Sequence, residues 1–153
     1  MPETDELKAK ILSELVVNHA DALERMYPLA KQFIRITKEG KIDVMVKDKL
    51  IGQEKISLDL IGKHYAKRAD LSDTEYVKND ELSSELGIKM NSLLPWLKYL
   101  RDENIIVQDK KGGREVCHAI SLSAIERTLK DIDDKLKNQE MPNVAKEAGE
   151  QNG

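Results

Sequence analysis

The stretch that most limits what this chain can become is residues 79–120, NDELSSELGIKMNSLLPWLKYLRDENIIVQDKKGGREVCHAI. Asn79 is suited to cap a helix, because its side-chain oxygen can accept one of the amide protons that a first turn leaves free. Leu82 and Leu86, four residues apart, share a face. Gly87 supplies the left-handed backbone that ends one helix and turns the chain sharply into the next. Leu93, Leu97 and Leu100, with Trp96 beside them, then recur at helical spacing and form a buried stripe. After Asn104 the period changes to alternation: Ile106 and Gln108 differ in polarity, as do Val116, His118 and Ile120 from their neighbours. Gly112-Gly113 provides the positive φ of a tight hairpin. The expected order is a short helix, a turn, an amphipathic helix and a basic hairpin.

Upstream, residues 4–27 carry Leu7, Ile11, Leu15 and Val16 at helical spacing, then Ala22, Leu23 and Met26 beyond a weaker patch at Asn18-His19. One long helix is expected there, capped by Thr4 and ended or kinked by Pro28, which lacks an amide proton. Its stripe can pack on its own domain or on a symmetry mate. Residues 33–46 alternate as a β-hairpin, with Ile34 and Ile36 on one arm, Ile42, Val44 and Val46 on the other, and a turn at Gly40. Arg35, Lys38, Lys41 and Lys47 make this hairpin either a solvated charged face or a contact to phosphate. Residues 53–69 return to the helical period, with Ile56, Leu60, Ile61 and Tyr65 on one side and Lys55, Asp59, Lys63 and Lys67 on the other. A loop at 70–74 and a short strand at 75–77 follow. Residues 121–138 form the last helix, with Ser123 and Glu126 as a capping box and an apolar seam of Ile125, Leu129, Ile132 and Leu136. That seam can zip with a partner or pack within the chain. The remainder, 139–153, has no apolar period and is expected to be a disordered tail.

These parts divide the chain into an extension of helix and hairpin (1–50), a central domain (51–120), a carboxy-terminal helix (121–138) and the tail. The fold class is mainly α with a small β component, α+β. A core is built from aliphatic residues, because aromatics are only 4% of 153 residues. Cys117 is the one cysteine, which excludes an intramolecular disulfide and a multi-cysteine zinc site and fits a reducing cytoplasm. No apolar run approaches the roughly 20 residues a membrane span needs, and no secretory signal is visible.

Enzymatic chemistry finds no converging groups. His19, His64 and His118 are far apart in sequence, and Cys117 and His118, adjacent in a strand, point to opposite sides. Gly112-Gly113 opens no helix and lacks the ending of a phosphate loop. Asp131, Asp133 and Asp134 lie outside the apolar seam as a solvated face. The chain is therefore expected to bind rather than catalyse, with no cofactor and no metal.

From residue 53 to 120 the sequence resembles the winged helix-turn-helix superfamily, its MarR-like branch included, and more closely uncharacterised archaeal winged-helix proteins. ELSSELGIKMNSLLPWLKYLRDENII carries the likeness: acidic helix, Leu-Gly turn, recognition helix, and a Leu-Arg-Asp-Glu ending that leads into the wing. The resemblance implies a winged helix-turn-helix with an N-terminal helix, an accessory β-hairpin and a C-terminal helix. It also implies binding to double-stranded DNA, as a transcriptional regulator or chromatin-associated factor. In that geometry the second helix presents its first residues to base edges, here Lys89, Asn91 and Ser92, with Lys98 further along, while Lys110, Lys111 and Arg114 on the wing neutralise phosphates. A homodimer through the N- and C-terminal helices is the expected assembly.

Three departures qualify the resemblance. Leu94 and Pro95 stand where donors to bases are usual. Pro95 requires either a helix that starts late, with Ser92 as its cap, or a kink. Charge is the third: residues 31–68 carry ten Lys or Arg against five Asp or Glu, whereas residues 74–120 carry seven against eight. The alternative expectation is a protein-interaction module in a transcription or chromosome-maintenance complex, which meets its partner at Leu94, Pro95 and Trp96.

Overall fold

The computed structural model describes residues 2–16, 21–109 and 116–152, with the side chains of 2–4 and 140–152 excepted. Seven α-helices and two small antiparallel sheets make up the described chain, in the α+β class.

The amino terminus is not one helix. α1 (Pro2–Lys10) continues as a π-helical turn, Ile11–Leu15, and Val16 is extended. The chain resumes as two single-turn helices, α2 (Ala22–Arg25) and α3 (Tyr27–Ala30). β-Branched Val16, a poor helix former, stands where the helical run ends. Leu7, Ile11, Leu15 and Val16 stay exposed, whereas Ala22, Leu23 and Met26 are buried. The helical run is interrupted just before Pro28, at Met26, and resumes as α3. Pro28 sits in the first turn of α3, where its missing amide proton leaves no bond unmade.

The accessory hairpin forms as expected but is shorter. β1 (Ile34–Ile36) pairs antiparallel with β2 (Ile42–Val44), Arg35 opposite Asp43, and Gly40 turns at φ +81°. Val46, expected in the second strand, is left-handed and exposed beyond its end.

α4 (Gly52–Arg68) is the centre of the molecule. Glu54 Oε1 accepts the Ile51 amide proton at 2.9 Å and so closes its first turn. Every residue from Ile56 to Lys63 is buried, Asp59 and Lys63 included. The expected outer charged face is therefore wrong at those two positions, because α4 is covered on several sides, by the β1–β2 hairpin and by the helices that follow.

A second sheet has the order β3-β5-β4, built from β3 (Val77–Lys78), β4 (Ile106–Asp109) and β5 (Cys117–Ile120). Ile106 pairs with Ile120 and Val77 with His118. Between β3 and β4 lie α5 (Asn79–Leu86) and α6 (Met90–Asp102). α7 (Leu122–Asn152) closes the chain, beginning one residue after Ser121, so Ser123 is its second residue rather than its cap. Its seam of Ile125, Leu129 and Ile132 is buried against α2, α3 and α4, with Leu136 packed beside it. The helix also runs through residues 139–152, expected as a disordered tail; Ala, Lys and Glu in VAKEA are good helix formers. One contiguous core extends from Ala22 to Ile132.

Candidate nucleic-acid interface

The turn between α5 and α6 is built by Gly87, whose φ of +65° needs a residue without a Cβ to be free of strain. Two hydrogen bonds fasten it: the Ile88 amide donates to the Ser83 carbonyl at 3.1 Å, and Ser83 Oγ donates to the Ile88 carbonyl at 2.6 Å. Leu82, Leu86 and Ile88 are buried beneath it and face Leu93, Leu97 and Leu100 of α6. Packing of these two stripes settles which side of α6 turns outward.

Lys89 is the N-cap of α6, and its carbonyl accepts the amides of Ser92 and Leu93, each at 2.9 Å. The helix thus starts three residues earlier than a cap at Ser92 would allow. Pro95 is the sixth residue, inside the helix, where it removes the bond that the Asn91 carbonyl would otherwise accept. Asn91 and Ser92 are exposed beside Lys89, with no acidic side chain in the first turn. Three of the expected base-facing residues therefore come together at one helix terminus, whose partial positive charge adds to that of Lys89. Lys98 lies two turns on and is engaged: its Nζ is 3.0 Å from Asp102 Oδ2. Lys110, Lys111 and Arg114, with Gly112-Gly113, lie outside the described residues.

Leu94 and Tyr99 are about half exposed, at 48% and 50%, and Pro95 is exposed. Trp96 between them is half-buried. Its ring packs over Gly52 so closely that a Cβ on Gly52 would overlap the ring carbons. Leu94 and Pro95 are thus more fully presented than Trp96.

A polar network locks this unit to the sheet. His118, buried in β5, has Nε2 at 2.9 Å from Arg101 Nη1 and Nδ1 at 3.0 Å from Asn79 Oδ1. The guanidinium can only donate, so Nε2 accepts and the proton resides on Nδ1, donated to Asn79. Asn79 is accordingly the first residue of α5 and not its cap, which is Lys78. Burial and the neighbouring Arg101 charge push the imidazole pKa down to about 4. The sequence alternation places His118 on the same side of the strand as Ile120, and the structure buries both. No local pattern marked its partners.

A second polar pair lies deeper. Both carboxyl oxygens of Asp59 on α4 and of Glu85 on α5 are buried without a hydrogen-bond donor among the described residues. Burial, then the Glu85 carboxyl beside it, raises the Asp59 pKa well above its usual range, with Glu81 adding to the rise and Lys63 opposing it. Lys63 Nζ reaches Glu81 at 3.6 Å and the Gly40 carbonyl at 3.5 Å.

Among the described residues no three His, Cys, Asp or Glu side chains gather as a metal site, and no helix is long and apolar enough to cross a membrane. No family model, no curated protein and no solved structure matches the chain.

Proposed function

We propose that residues 51–120 form a winged helix-turn-helix and that the chain binds double-stranded DNA through it, as a transcriptional regulator or chromatin-associated factor. The observation that carries this reading is the start of α6. Lys89, Asn91 and Ser92 stand exposed together on a rigid helix whose other face is buried in the core. Their side chains have the chemistry to meet a duplex, since Asn pairs with adenine, Ser with several base edges, and Lys with phosphate or guanine. The order of α4, β3, α5, α6, β4 and β5 also supports it, because a winged helix has its wing between the last two of these strands, and the sequence between β4 and β5 contains Lys110, Lys111 and Arg114. A fluorescent duplex titrated at low and then rising salt tests the reading. Binding that weakens steeply with salt is expected, as is uniform weakening by Lys110→Ala with Lys111→Ala. A chain that retains no duplex at low salt is not a DNA-binding protein.

The exposure of Leu94 and Pro95, with Lys98 held by Asp102, favours a second reading as a protein-interaction module. Leu94→Asp then abolishes capture of one partner and leaves DNA retention unchanged. In either case we place the homodimer contact on α1 and the π-helical turn that continues it, whose apolar side chains are exposed, and not on α7, whose seam is buried within the chain.

A further inference from the structure

Outside the α5–α6 face, a groove of about 280 Å³ opens between α3, the free edge of β1 and α4. Its walls are apolar. Ile34 is buried and Ile36 half-buried, and the rings of Tyr27 and Tyr65 meet edge to face with centroids 6.3 Å apart. The Tyr65 hydroxyl donates to the Leu23 carbonyl at 2.5 Å, which turns the hydroxyl inward and fixes the ring.

Two cations stand at the mouth. Arg35 is opposite Asp43 in the strand register but does not pair with it. Its Nη1 instead donates to the carbonyls of Lys31 and, at 2.8 Å, Ile34, so the guanidinium is drawn to the edge of β1 beside the groove. Nε and Nη2 are left with no hydrogen-bond partner among the described residues, and no carboxylate among them lies within ion-pair distance of Arg35 or Lys31. The backbone adds a donor. Phe33 with Met45, and Thr37 with Lys41, are hydrogen-bonded pairs across the hairpin. Alternation along an antiparallel pair then turns the amide of Ile36 away from β2, to the open edge that lines the groove.

A planar guanidinium with free donors, an ammonium and an unpaired amide around one end of an apolar groove are complementary to a carboxylate with an apolar body. We propose that this groove is a binding site for an organic monocarboxylate with a hydrocarbon body, its head on Arg35, Lys31 and the Ile36 amide and its chain along Tyr27, Ile34 and Tyr65. The site is separate from the α5–α6 face, and its occupancy does not depend on whether the chain binds DNA.

Decanoate is the probe, followed by methyl spectra of the full chain labelled at isoleucine. Saturable shifts confined to Ile34 and Ile36 are expected below about 1 mM, the weak end of specific binding. Decanamide, with the same body and no charge, should bind roughly 10-fold more weakly, a typical loss for a charge-assisted pair. Arg35→Gln should weaken decanoate by a similar factor. Because Arg35 also holds backbone carbonyls, Lys31→Gln, which removes only an exposed ammonium, is the second variant and should give a smaller loss at unchanged melting temperature. Equal binding of decanoate and decanamide, shifts spread over the core isoleucines, or no saturable shift by about 1 mM would each overturn the proposal.

Discussion

Arg101 Nη1 donates to His118 Nε2 across 2.9 Å, and this bond makes a buried histidine useful only while it is neutral. A proton on Nε2 would face the guanidinium directly. Through its other nitrogen, His118 holds Asn79 at the start of α5, so one ring joins β5 to both helices of the candidate interface.

The pH dependence follows from that placement. The folded pKa of His118, about 4, lies below the ordinary 6.5, so the unfolded chain takes up the proton first as pH falls. Its contribution is complete above pH 6.5 and is lost progressively down to about pH 4, in total about 3 kcal/mol. Urea unfolding from pH 7 to pH 4 should show this decline, and His118→Gln should flatten it. An unchanged slope in the variant would place the acid sensitivity elsewhere.

Asp59 gives the opposite sign. Its folded pKa is raised, so its stabilising neutral form is fully present at acid pH and is lost as pH rises through the folded value. Asp59→Asn keeps the shape, stays neutral and can donate to Glu85. At pH 8 it should raise the urea midpoint, by about 1–3 kcal/mol in stability, the cost of a buried polar group without a partner. At pH 4 the gain should shrink. A variant less stable than the parent at pH 8 would mean that the Asp59 carboxyl is accommodated where it stands.

Gly52 is the first residue of α4, an ordinary helical site where alanine is usually the better residue. Here the Trp96 ring occupies the space a Cβ needs. Gly52→Ala is therefore expected to destabilise, by about 1–3 kcal/mol for overpacking, and to shift Trp96 emission. A neutral or stabilising result would show that the indole has room to move.

Much of the architecture was legible because it depends on local chemistry. Gly87, the two leucine stripes of α5 and α6, and the alternation of the β1–β2 hairpin each fix their element through spacing alone. What escaped is set by tertiary contact. Asp59 and Lys63 look like an outer face until the neighbours of α4 are known, and Asn79 looks like a cap until His118 is found to hold its oxygen. Trp96 looks like an anchor for a partner because nothing nearby in sequence says that Gly52 lies beneath it. At the candidate interface, residue types were readable and their availability was not: Lys98 is a cation in sequence and half of an ion pair in space.

On the proposed DNA-binding reading, that difference separates Lys89, the N-cap of α6, from Lys98 within it. Lys89 stands at the helix start without an acidic neighbour in the first turn, so Lys89→Ala should weaken duplex binding and lower the salt slope by about 1. Lys98→Ala removes a charge already largely offset by Asp102, so affinity should change by less than about 2-fold, in keeping with the small worth of an exposed pair. Equal losses from both would mean that Lys98 leaves Asp102 to reach the nucleic acid.

The proposed homodimer contact lies on α1 and its π-helical turn. Leu7 of α1 and Ile11, Leu12 and Leu15 of the π-helical turn that continues it are exposed at 59%, 39%, 56% and 75%, and among the described residues α1 packs chiefly on that turn. An apolar surface of this kind is stabilised by pairing with its copy, and at roughly 25 cal/mol per Å² even a modest two-helix contact contributes several kcal/mol. Sedimentation of the full chain should give a mass near twice 17.4 kDa. Removal of residues 1–16 should give a monomer with its melting temperature nearly intact, because the core begins at Ala22. Leu12→Glu with Leu15→Glu should do the same without shortening the chain. A monomeric full chain, or a dimer that survives both changes, would take the contact away from α1.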